Sequence, residues 1–71
     1  MKPPILIQFA GEQRDFRYIL SSLIATRSNG KAFLEVEIAG KYFSEEFETT
    51  EQAHKRRAEI AGIVLEGKQN G

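Results

Sequence analysis

Residues 32 to 38 alternate without exception between an apolar set, Ala32, Leu34, Val36 and Ile38, and a second set made of Phe33, Glu35 and Glu37. A period of two marks a strand with one face in a core and the other on a surface. Ala39-Gly40 follows, and from Lys41 the alternation resumes, with Phe43, Glu45 and Phe47 on one face and Tyr42, Ser44, Glu46 and Glu48 on the other. Two such runs joined by so short a link make an antiparallel hairpin, with strands over 31–38 and 41–48. Whatever else the chain does, it must supply an apolar layer for one side of this hairpin.

The layer has to come from the flanks. After the hairpin, Thr49 and Gln52 stand three apart in a capping-box arrangement, which starts a helix over 50–66 carried by Ala53, Ile60, Ala61, Ile63 and Val64. Gly67 is the expected stop, and 68–71 the expected frayed tail. Before the hairpin, Ile5 to Phe9 is apolar except for Gln8, and it predicts a short strand over 5–9 buried on both faces. Between them lies an ambiguous stretch. Phe16, Ile19, Leu20, Leu23 and Ile24 fall within an arc of about 140° at helical spacing, whereas a strand would put Ser22 in the core and Ile19 and Leu23 in solvent. The spacing therefore predicts a helix over 12–27, with Glu12 in its first turn and Arg27 then Asn29-Gly30 as its stop. The fold class expected is α+β: a single β-α-β-β-α domain over 1–71, its three-stranded sheet carrying both helices on one face and leaving an acidic face open.

Length limits the functions such a chain can hold. At 71 residues there is room for one domain and little material to enclose an active site. There is no cysteine and only one histidine, His54, so disulfides and thiolate or multi-histidine metal sites are excluded. The carboxylates at Glu35 and Glu37 and at Glu45 and Glu46 fall on a hairpin where nothing desolvates one of them for acid/base work. No enzyme, metal or cofactor is expected. With no apolar run approaching spanning length, the cytoplasm is the expected location and no membrane association is expected.

Two surfaces stand out. The open sheet face gathers Phe33, Glu35, Glu37, Tyr42 and Glu46, and between Glu35 and Glu51 six acidic residues stand against one Lys in a chain of zero net charge. Such a face suits a basic protein partner or a second copy of the chain, with the aromatics as anchors. The other surface is cationic: Lys55, Arg56 and Arg57 on the last helix, with Lys41 at the hairpin turn, are candidate phosphate contacts. Helical spacing turns consecutive residues by 100°, which spreads these side chains around the axis.

The stretch from Asn29 to Ile60 resembles the AP2-like DNA-binding domain found at the start of phage integrases. Gly40-Lys41 stands where that family has its hairpin turn, and Phe47, Thr49 and Ala53 match the F-x-T-x-x-x-A pattern leading into its helix. The resemblance implies a strand ahead of the hairpin and a sheet that enters the DNA major groove through basic and polar side chains. Here the corresponding outward positions include Glu35, Glu37, Glu46 and Glu48, which would face phosphates with like charge. A small non-enzymatic protein acting by protein contact, dimerisation included, is thus the first expectation, and a nucleic-acid-binding module is the alternative.

Overall fold

The chain first reverses at Ala10-Gly11, where both residues take positive φ, 51° and 88°. The turn at Ala39-Gly40 repeats this, with 52° and 83°. Two successive positive φ values in a two-residue link define the type I′ hairpin turn, whose twist matches that of the strands it joins. The computed structural model describes residues 3–70, without the side chain of Asn70. The first turn joins β1 (Leu6–Phe9) to β2 (Glu12–Asp15), and the pair forms a two-stranded sheet. A single 3-10 turn at Phe16–Tyr18 leads into β3 (Ile19–Thr26), then β4 (Ala32–Ile38), β5 (Lys41–Phe47) and the one helix, α1 (Thr50–Asn70). Strands β3, β4 and β5 form an antiparallel meander in that order.

The expected β-α-β-β-α arrangement is therefore corrected: among the described residues there are five strands in two sheets and a single helix. The stretch 12–27 is strand, 3-10 turn and strand, and the reason is tertiary. β4 offers two hydrogen-bonding edges, and the β-branched Ile19, Ile24 and Thr26 suit the position beside it. A bulge between Ile19 and Ser21 shifts the register, so Ile19 sits opposite Ile38 and packs on the core while Ile24 sits opposite Leu34. Without that extra residue Ile19 would face solvent. Leu20, left over in the bulge, is 67% exposed.

Other expectations move as well. The first strand is buried on one face only, through Ile5, Ile7 and Phe9, with Leu6 and Gln8 outside. The helix runs on through Gly67 and takes in Lys68 and Gln69; Gly71 lies outside the described residues. At Gly67 a Cβ would stand 2.8 Å from two carbons of the Ile5 side chain, so this glycine marks close packing of the helix on the start of β1. At the other end Thr49 Oγ1 accepts from Gln52 N at 3.2 Å, while the Gln52 side chain accepts from Glu48 N, one residue earlier than a full capping box requires.

The core lies between the inner face of the meander and a cover shared by α1 and the β1–β2 hairpin. Leu34 and Val36 from β4, Phe9 from β1 and Phe16 from the 3-10 turn are fully enclosed, and Phe9 and Phe16 meet edge to face at 5.8 Å. Ile60 and Ala53 supply the helix's share. The cover is uneven. The hairpin lies against β5, whereas between β3 and the helix an apolar groove of about 370 Å³ is left, bordered by Arg57 and Lys68. Among the described residues no helix is long and apolar enough to cross a membrane.

Candidate functional site

Strand register decides what shares the outer face of the meander. In one row Ser21, Glu37 and Tyr42 lie side by side, in the next Leu23, Glu35 and Ser44, and in the third Ala25, Phe33 and Glu46. No other element covers these rows, because both the helix and the hairpin are spent on the inner face. All five residues singled out from the sequence, Phe33, Glu35, Glu37, Tyr42 and Glu46, are brought together here, and Leu23 joins them. Leu23 and Tyr42 are 47% and 63% exposed.

The charges on this face are not all equivalent. At one end Arg27 Nε meets Glu46 Oε2 at 3.1 Å while its guanidinium lies 4.9 Å from the centre of the Phe33 ring, so that end is neutralised and Phe33 is partly screened. Lys31 Nζ is 3.7 Å from Glu48, beyond the same end. In the middle and at the far end no cation of the described residues approaches Glu35 or Glu37; Glu37 accepts only a weak bond from Ser21 Oγ at 3.3 Å. The arrangement is two uncompensated carboxylates between exposed apolar surfaces, which can take up Lys or Arg heads while Tyr42 and Leu23 pack on their stems.

The cationic residues are not brought together. Arg56 is a structural clamp: its Nε bonds Glu45 at 3.2 Å, Nη1 bonds Glu59 at 3.0 Å, and Nη2 donates to the backbone carbonyl of Gln8. Glu45 also accepts from Ala10 N at 3.1 Å, so one ion pair ties α1, β5 and the first hairpin turn. Arg57 points instead to the groove beside β3, and Lys55 and Lys41 are exposed on separate elements. Four residues aimed in different directions make no common phosphate cradle.

A second electrostatic knot holds the start of the fold. Asp15 Oδ1 accepts from Ile5 N at 3.2 Å and Arg17 N at 3.0 Å, and Oδ2 accepts from the Arg17 guanidinium at 2.6 and 2.8 Å. The side-chain bonds from Arg17 lead in drawing the Asp15 carboxyl down to about 2, against some opposing desolvation. The Arg17 guanidinium is raised in turn by the same bonds. Similarly, Arg14 caps the carbonyls of Phe9 and Ala10 and stacks 3.7 Å from the centre of the Phe43 ring. These groups secure the hairpin. His54 is exposed, and among the described residues no three potential ligands are grouped to hold a metal ion.

Sequence reading missed Ser21, Leu23, Ala25 and Arg27 on the outer face because it wound their segment into a helix. One signal was present: Phe9-Ala10-Gly11-Glu12 has the same turn dipeptide as Ile38-Ala39-Gly40-Lys41, read correctly as a hairpin turn in the second place and passed over in the first. Comparison of the chain with family models, with curated proteins and with solved structures gave no match in any of the three.

Proposed function

We propose that this protein is a small non-enzymatic binding module that takes up a basic protein segment on the outer face of its β3–β4–β5 sheet. The observation that carries this reading is the pairing state of that face. Among the described residues Glu35 and Glu37 stand on it without a cationic partner, beside Tyr42 and Leu23, whereas Asp15 and Glu45, the carboxylates that tie elements of the fold together, are fully engaged. Charge supplies steering toward a cationic segment, and the apolar residues supply the contact that survives salt.

The alternative, a nucleic-acid module of the integrase-arm kind, is favoured by one observation. β3 stands where that family has its first strand, so residues 19–70 run strand, strand, strand, helix. The face such a module would present to DNA carries Glu35, Glu37 and Glu46, and that charge sets this reading second.

Fluorescence anisotropy with a labelled Lys/Arg-rich peptide and, separately, a labelled random duplex separates the two. The expected result is binding of the peptide, loss of that binding in Glu35→Lys with Glu37→Lys, and a several-fold loss in the charge-neutral pair Phe33→Ser with Tyr42→Ser. Peptide binding indifferent to the Ser pair would reduce the face to a diffuse charge effect. Duplex binding that falls steeply with salt, with the peptide ignored, would replace this function by the alternative.

A further inference from the structure

We infer that two copies of this chain associate edge to edge through β3, antiparallel, to make a continuous six-stranded sheet. The two edges of the meander are unlike. β5 carries Lys41, Glu45 and Glu46 and has the first hairpin beside it, which are the usual safeguards of an edge. β3, the other edge, holds no charged residue and no proline from Ile19 to Thr26. Its backbone groups can be placed. Arg27 N bonds Lys31 O at 2.6 Å, so by antiparallel alternation Ala25, Leu23 and Ser21 spend their N–H and C=O on β4. Ser22, Ile24 and Thr26 then turn theirs to the open edge, a row of donors and acceptors that a second strand would satisfy.

The occupant that fits is a second β3. A two-fold pairing that keeps outer face with outer face needs each residue opposite one of the same parity. Centred on Leu23, it sets Leu23 against its own copy, Ser22 against Ile24 of the other chain and Ser21 against Ala25, so β3 itself brings no charge to the seam, while the cations Arg57 and Lys68 stand at the border of the groove on the inner side. Leu23 falls at a non-hydrogen-bonded site, where opposed side chains come closest. The carboxylates do not oppose this: Glu35 lies one strand back, three strand spacings or about 14 Å from its copy, beyond a Debye length of about 10 Å at 0.1 M salt. The apolar groove opens along the same edge and would be closed from the side. Size is sufficient as well. The seven residues that pair, 20–26, run about 23 Å, and with short dimensions of 21 and 18 Å for the molecule the wall offers about 450 Å² per copy, in the size class of weak interfaces.

The inference does not depend on the basic partner, since it concerns the strand edge and is read without any ligand. Sedimentation equilibrium at about 100 μM chain, above the micromolar constants common for small interfaces, should give twice the 8.0 kDa chain mass. Ser22→Pro tests the edge itself. Its lost N–H faces away from β4, so the meander keeps its ladder and the dissociation constant should rise at least tenfold, checked against circular dichroism of the folded state. Should Ser22→Pro fail to fold, Leu23→Lys and Leu23→Glu serve: each alone monomeric, the mixture restoring the dimer. A monomeric parent at that concentration overturns the inference, as does a folded Ser22→Pro that still dimerises. Dimers lost in Phe33→Ser with Tyr42→Ser but kept in Ser22→Pro would show association through the face instead.

Discussion

Replacing Arg56 with Met keeps an unbranched apolar chain at this position but removes the guanidinium, which among the described residues is the only charged group that joins α1 to both β5 and the first hairpin. Two bonds decide the magnitude: Arg56 to Glu45, with side chains 23% and 25% exposed, and Arg56 to the Gln8 carbonyl. A hydrogen bond to a charged group contributes about 1.5–3 kcal/mol when buried, and partial exposure cuts that by roughly half, so the two together come to about 2 kcal/mol. The third bond, to Glu59 at 56% exposure, adds little. For a chain of this length total stability is about 4–10 kcal/mol, and a loss of about 2 kcal/mol should lower Tm by roughly 8–16 °C. Urea unfolding of the parent, Arg56→Met, Glu45→Gln and the double variant should return a coupling of about 1 kcal/mol between the two sites. A loss under about 0.5 kcal/mol in Arg56→Met, or no coupling, would refute the clamp.

Three further outcomes follow from local geometry. Gly62→Ala, where a Cβ meets nothing within 4 Å, should stabilise by about 0.5–1 kcal/mol, whereas Gly67→Ala must push Ile5 aside and should lose that gain or reverse it; thermal melts of the two variants give the comparison. Ala10→Asn and Ala39→Asn place a residue tolerant of positive φ at the first turn position, and each should raise stability by about 0.5–1 kcal/mol in chemical unfolding, with no change expected if the turns are not of the primed type. Asp15 sets an acid limit. Its folded value of about 2 lies below the unfolded carboxylate range, so the stability it contributes is complete above about pH 4 and drains as pH falls toward 2. Asp15→Asn should flatten the stability curve over that interval, and an unchanged slope would show that other carboxylates govern it.

The second hairpin and the start of the helix after it were legible residue by residue, but not the helix end, which passes Gly67. Leu34, Val36 and Ile38 face the core and Glu35 and Glu37 face out, as a period of two demands, because alternation and a two-residue turn are properties of adjacent residues. Thr49 as the helix cap was legible for the same reason. The first half was not. The apolar residues from Phe16 to Ile24 satisfy a helical period better than an unbroken strand period, and the bulge that lets Ile19 reach the core leaves no mark in the residue types around it. Nor does the sequence tell Arg56 from Arg57: one closes a clamp across forty-eight residues to Gln8, the other borders a groove.

What the sequence by itself determined is a sheet with one apolar and one acidic face and a capped helix to follow, since each depends on neighbours along the chain. Only the tertiary structure decided that residues 19–26 extend that sheet, while 12–15 join the hairpin that covers it. Strand identity over 19–26 rests on backbone hydrogen bonds to β4, eleven or more residues away at most positions, and on the β1–β2 hairpin having already taken the place on the inner face that a first helix would have filled.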